Sequence, residues 1–175
     1  ELQIREMQTA DIVEALNRDM LDAAILAGGT SPGEIIEEEL FNDRFYAYVS
    51  PLHPLYERSN IRIEDIDVKH LLLLTEGNCM RDQVIELCQA RRNVSTQYAF
   101  ESGSLETLMR IVDNTANMTI IPELALDFIP KEKHSQIKTL ARGATSRKIT
   151  IAVRRTYVKR SLISALKESI IRAAK

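Results

Sequence analysis

The stretch Leu71-Leu72-Leu73-Leu74-Thr75-Glu76-Gly77-Asn78-Cys79-Met80-Arg81-Asp82-Gln83-Val84-Ile85-Glu86-Leu87-Cys88 reads as a buried strand, a glycine turn and one amphipathic helix. Met80, Val84, Leu87 and Cys88 fall at i, i+4, i+7 and i+8, the spacing of a buried stripe, while Cys79, Gln83 and Glu86 line the polar side. The chain's two cysteines are therefore in different surroundings. Nine steps of about 100° place them on opposite faces, roughly 13 Å apart along the axis. A disulfide needs Cα atoms within about 7 Å. If this pair bonds, the helix between them must come apart.

The two thiols differ in chemistry as well as position. Cys79 lies in the first helical turn, where unpaired N–H groups and the positive end of the helix dipole stabilise a thiolate, and Arg81 adds a cation nearby. Cys88 reads as a small core hydrophobe. The C-x8-C spacing by itself is equally compatible with two unrelated cysteines, one exposed and one buried.

Outward from this stretch the pattern is α/β. Leu2 to Met7 alternates like a strand, and Thr9 caps a helix in which Ile12, Leu16 and Met20 recur every four residues. Leu21 to Leu26 is a short apolar run before a Gly28 to Gly33 loop. This β–α–β rhythm predicts a parallel sheet covered by helices. Ile35 to Leu40 and Phe45 to Val49 read as two strands split by Asn42-Asp43, and Ile61 to Asp67 as a loop with a helical turn. Strands are predicted around Gln97 to Phe100, Met118 to Ile121, Gln136 to Leu140 and Ile149 to Val153. Helices are predicted at Ser104 to Asn114, around Glu123 to Asp127 and from Lys159 to Ala173, the last with Leu162, Leu166 and Ile170 inward.

Composition narrows the function. The 175 residues are 45% hydrophobic and 27% charged, ordinary for a globular protein, with a net charge of −2 that offers no basic footprint for nucleic acid. No apolar run reaches the length of a membrane span, so no membrane partner is implied. Two cysteines are too few for a disulfide scaffold, which favours an intracellular, cytoplasmic protein with reduced thiols. His53, His70 and His134 are scattered without metal-ligand spacing and read as surface or loop residues. The Gly28-Gly29 loop has neither a Walker lysine nor a dinucleotide fingerprint, and no Ser/His/Asp constellation is present. Neither a metal nor a cofactor is implied.

Glu76-Gly77-Asn78-Cys79-Met80-Arg81-Asp82-Gln83, completed by Cys88, closely resembles the sensor segment of the peroxide-sensing branch of the LysR-type transcriptional regulators. Ser104-Leu105-Glu106-Thr107-Leu108 and Thr119-Ile120-Ile121-Pro122 resemble the helix and strand that follow in LysR-type effector domains. The similarity runs from about Thr9 to the end of the chain. It implies two periplasmic-binding-protein-like, Rossmann-like subdomains: residues 1–44 with 149–175, and residues 45–148 carrying the cysteines. It also implies that a DNA-binding head, and the first strand and helix of the regulatory domain, lie outside this chain.

By the same resemblance Cys79 is the peroxidatic cysteine and Cys88 the resolving one, with hydrogen peroxide as oxidant and the sulfenic acid of Cys79 closing to a disulfide. Thr9 matches a threonine whose hydroxyl lies near the peroxide site. Gly77 fits a tight approach at the helix start, and Asp82 and Gln83 orient Arg81 or bound water. Asn78 stands where the family often has histidine. Lys148, next to Arg147, stands where a second arginine supporting the reduced state is expected.

The implied function is a redox-switched regulatory domain of a transcription activator, not an enzyme. It would associate as a homodimer or homotetramer, be reset by glutaredoxin or thioredoxin, and reach DNA and RNA polymerase only through the full-length protein. Two other functions fit the same residues: a LysR-type domain that binds a small effector, with incidental cysteines, and a stand-alone thiol peroxidase.

Overall fold

The computed structural model describes residues 2–29, 33–89, 101–141 and 146–174. The chain divides into two compact units, Glu1–Asn42 with Lys148–Lys175, and Asp43–Arg147. The strand predicted around Gln97 to Phe100 and part of the Gly28 to Gly33 loop lie outside the described residues.

The first unit contains α1 (Thr9–Asn17), β1 (Ala24–Ala27), the leading part of β2 (Ile35–Val49), and, from the end of the chain, most of β8 (Ser146–Arg154) with α4 (Arg160–Ala173). β1 runs antiparallel to β8, with Ala24 opposite Ala152 and Ala27 opposite Ile149. Period-two alternation sorts the side chains of β8 between two cores. Ile149 and Ile151 join Leu40 and Ile163 of α4, whereas Ala152 joins Leu16 of α1 and Leu26. Asp19 turns the chain after α1 at φ 56° and its carboxylate is paired with Arg154.

The second unit adds, in chain order, β3 (Asn60–Arg62), β4 (Leu71–Leu74), α2 (Cys79–Gln89), β5 (Glu101–Ser102), α3 (Leu105–Asp113), β6 (Met118–Pro122) and β7 (Ile137–Ala141). Two 3₁₀ segments, Glu123–Phe128 and Lys131–Gln136, lie between β6 and β7. The strand order is β3-β7-β2-β6-β4-β5. Every residue of β4 and β6 is buried, the signature of central strands covered on both faces, and this is why they read as continuous apolar runs. Leu108 and Val112 of α3, and Met80, Val84 and Cys88 of α2, enter the same core. Ser104 caps α3 by accepting a hydrogen bond from the Thr107 amide at 3.3 Å.

Several expectations from sequence need correction. The sheet is mixed: β2 is antiparallel to β6 and β7, whereas β3–β7, β4–β5 and β4–β6 are parallel. Leu2 to Met7 is not a strand, since alternation makes a strand only where a partner completes the ladder. Gln8, not Thr9, is the N-cap of α1, and Thr9 is its first helical residue. Met20 falls past the end of α1 and is 66% exposed, and in α4 it is Ile163 rather than Leu162 (56% exposed) that points inward. No helix among the described residues is long and apolar enough to cross a membrane.

Asn42-Asp43 does not split β2, which continues through to Val49. The reason lies in the side chains. Asn42 Nδ2 donates to Glu39 Oε1 at 3.1 Å, and the fully buried Asp43 carboxylate accepts from Arg147 Nε at 2.9 Å and from the Leu124 amide at 3.2 Å. Arg147 also stacks over the Phe45 ring, 5.9 Å from its centroid. With its polar capacity used in this way, Asp43 has no call to form the local turn it otherwise favours. The two units divide at 42/43 and 147/148.

Removing Arg147 leaves a buried carboxylate without its cation. Arg147→Ala should cost roughly 3–5 kcal/mol in chemical denaturation. Lys148→Ala removes an exposed pair with Glu39 and should cost about 0–1 kcal/mol. Equal effects would show that the Asp43 pair is not the stronger of the two.

Candidate functional site

The site is built at the start of α2. β4 ends at Leu74, and the Thr75 amide still bonds Ser102 of β5 at 3.0 Å. The chain then reverses within three residues. Gly77 makes this possible with φ 86°, a region that other residues enter only with strain. Asn78 closes the turn, its amide donating to the Thr75 carbonyl at 3.3 Å. Its Oδ1 accepts a hydrogen bond from the Met80 amide at 3.0 Å, and its carbonyl accepts from Arg81 at 2.9 Å. Asn78 is therefore the N-cap of α2.

Cys79 is consequently the first residue of the helix, half-buried, and Cys88 lies near its far end with 8% exposure. Both are thiols, neither in a disulfide. Cys88 packs in the core with Met80 and Val84, and α2 rests on β4 and on the short 3₁₀ turn Ile63–Asp65. Arg81 is mostly buried rather than a surface cation: it borders a small gap beside Leu72, Val84 and Ile120, and approaches Asp82 at 3.7 Å. Asp82 is exposed and Gln83 half-buried. One helix start thus brings together Gly77, Asn78, Cys79, Arg81, Asp82 and Gln83.

The remaining candidates lie elsewhere. Thr9 belongs to the first unit, exposed at the start of α1. Arg147 belongs to the second and is committed to Asp43. Lys148 belongs to the first, where its Nζ lies 3.0 Å from Glu39 Oε2 and its hydrogen bond and charge hold that carboxyl below its ordinary range. Neighbours in sequence, Arg147 and Lys148 serve different carboxylates in different units.

One of the histidines expected at surface or loop positions sits in a loop and is buried there. His53 is buried, its Nδ1 accepting from the Leu55 amide at 3.1 Å and its ring set edge-on to His70 with centroids 5.8 Å apart. Burial, then the charge of His70, push its pKa below the ordinary histidine value, against the pull of Asp67. No residue spacing in the sequence announces this pair.

A family model described as the LysR substrate binding domain matches residues 1–175. The hydrogen peroxide-inducible genes activator of Haemophilus influenzae is 32% identical over 72% of this chain and 42% of its own length. The DNA-binding transcriptional dual regulator OxyR of Escherichia coli is 31% identical over 76% of this chain and 42% of its own. This chain therefore spans less than half the length of these two relatives. Among solved structures, OxyR from Porphyromonas gingivalis in a mutant form superposes with a TM-score of 0.87 at 29% identity, covering 100% of this chain and 80% of that one. The reduced OxyR regulatory domain of Pseudomonas aeruginosa gives 0.84 at 28% identity, covering 98% and 80%.

Two outcomes test the geometry described. Asn78→Ala should destabilise the chain by about 1 kcal/mol in thermal melts, and Asn78→Asp should retain most of that through its carboxylate. For His53, the unfolded ring takes a proton below about pH 6.5 while the folded one resists, so stability is complete above that value and declines as pH falls toward the lowered folded pKa. His53→Asn should flatten this acid-side decline in melting temperature. An unchanged slope would assign the decline to other groups.

Proposed function

The chain belongs to the LysR substrate binding domain family, and we propose that, like the hydrogen peroxide-inducible genes activators it resembles, it is the peroxide-sensing regulatory domain of a transcription factor. The observation that carries this reading is the placement of two thiols on opposite faces and near opposite ends of one helix.

The chemistry starts at Cys79. As thiolate it attacks one peroxide oxygen: the S–O bond forms, the O–O bond breaks, and the departing hydroxide takes a proton and leaves as water. The sulfenic acid is then attacked by the Cys88 sulfur, which forms the disulfide and releases a second water. Asn78 and Gly77 fix the helix start that holds Cys79, and Arg81 contributes a cation two residues along. Arg147 and Lys148 support the reduced arrangement through Asp43 and Glu39.

The second step is where signal arises. Cys88 must leave a core it shares with Met80 and Val84, and each large apolar side chain brought into water costs about 1.5–3 kcal/mol. The helical hydrogen bonds between the two cysteines must also break. The disulfide and new contacts offset these losses, so oxidation exchanges one packed arrangement for another. In the full-length protein this change alters contacts within a cytoplasmic homodimer or homotetramer and, through them, the engagement of DNA and RNA polymerase. A dithiol reductant of the glutaredoxin or thioredoxin class returns the thiols. The domain is a switch rather than an enzyme.

With hydrogen peroxide added to the chain, consumption should stop near about one equivalent in the absence of reductant. Cys79→Ser should abolish it, and Cys88→Ser should leave a sulfenic acid at Cys79 that dimedone traps. Equal oxidation of both single variants by mass spectrometry would overturn the assignment. Hydrogen exchange across Met80 to Leu87 should rise on oxidation. Unchanged protection with the disulfide confirmed would show that the helix survives and is not the switch.

A further inference from the structure

The second unit holds a cavity that takes no part in the thiol chemistry. It lies between α3 and the 3₁₀ segments Glu123–Phe128 and Lys131–Gln136, with a volume of about 490 Å³. That is the size of a small-molecule site. Leu105, Met109, Phe128 and Ile129 supply apolar walls. Phe128 is 87% exposed, an aromatic ring standing largely in water at the edge of an apolar hollow.

The polar groups lining the hollow are asymmetric in what they still offer. At its floor Asp113 is largely committed: Oδ1 accepts from the buried Tyr48 hydroxyl at 2.7 Å and from Gln136 Nε2 at 3.1 Å, and Oδ2 from Lys133 Nζ at 2.6 Å. Burial and the Asp113 carboxylate push the Tyr48 hydroxyl far up, so it remains a neutral donor. Lys133 commits one ammonium proton to Asp113, and Arg110 one guanidinium nitrogen to Glu106 Oε1 at 2.7 Å, which meets the charge of Glu106. Among the described residues the remaining capacity at the cavity is thus mainly cationic N–H donors, from Lys133 and Arg110. A wholly apolar occupant would desolvate Lys133 and give it nothing in return.

We propose that this cavity binds a small amphipathic carboxylic acid. Its hydrocarbon body lies on Leu105, Met109, Phe128 and Ile129, and its carboxylate meets Lys133 and Arg110. The site stands apart from the peroxide chemistry and does not depend on it.

The test is a ¹H–¹⁵N NMR titration of the whole 175-residue chain with octanoate and, separately, with its neutral counterpart octanamide. Saturable shifts should centre on residues 105–113 and 125–133, with octanoate binding about tenfold more tightly. Lys133→Gln disturbs Asp113 and so risks the fold, whereas Arg110 is exposed. Arg110→Gln should weaken octanoate about three- to tenfold and leave octanamide unchanged. Phe128→Ser, also at an exposed position, should weaken both. The proposal is overturned by the absence of saturable shifts, by equal affinity for acid and amide, or by the same segments shifting on dilution of the protein alone. The last result would mean that a second copy of the chain fills the hollow.

Discussion

An intact helix cannot bring its first and tenth residues into bonding distance, and the site depends on that constraint. The contacts that make α2 a helix are the same ones that hold Cys79 and Cys88 apart: Met80, Val84 and Cys88 in the core, and Asn78 over the first turn. Helicity and thiol separation are therefore one equilibrium viewed twice. On the proposed reading, an oxidant that joins the sulfurs would work against the packing of the second unit, and a reductant would let that packing reassert itself. Cys88 suits such a role in size, because a thiol is small enough to sit in a core.

The two places where the chain passes between its units are handled by side chains rather than by loops. Asp43 and Arg147, one from each passing strand, are clasped in the interior of the second unit, with the Leu124 amide completing the carboxylate's coordination. One residue further along, Lys148 turns to Glu39 at the surface of the first unit. The two cations are adjacent in sequence and differ sharply in energetic standing. The first sits where water cannot compensate its loss, whereas the second, 57% exposed on its side chain, is largely screened.

The parts of the fold that were legible in sequence are those where a local signal and the tertiary environment agree. The run Leu71 to Leu74, the stripe Met80-Val84-Cys88 and the helix expected from Ser104 each carry their own physical reason, and each stands where the pattern put it. The failures occur where partners remote in sequence decide the outcome. Asn42-Asp43 has turn chemistry, yet Arg147 and Leu124 commit the aspartate to the interior. Leu2 to Met7 alternates without a ladder to join. In α4 Leu166 and Ile170 pack as the pattern expects, but Ile163 rather than Leu162 joins Ile149 and Ile151 in the core. At the site, the cysteines were legible, whereas the capping role of Asn78 and the burial of Arg81 were not. Both follow from how a turn of three residues closes onto β4.

The polar floor beneath α3 has a consequence for how this sequence can drift. Tyr48, Asp113, Lys133 and Gln136 come from three separate segments and share one pair of carboxylate oxygens. Losing any single member strands the others, so their substitution effects are strongly non-additive, and a neutral path exists only through paired or simultaneous replacement. In an ensemble of descendants these four positions should therefore change together or not at all, while the exposed residues around them vary freely. The network acts as a ratchet on sequence: once assembled, it is easier to keep whole than to dismantle one residue at a time.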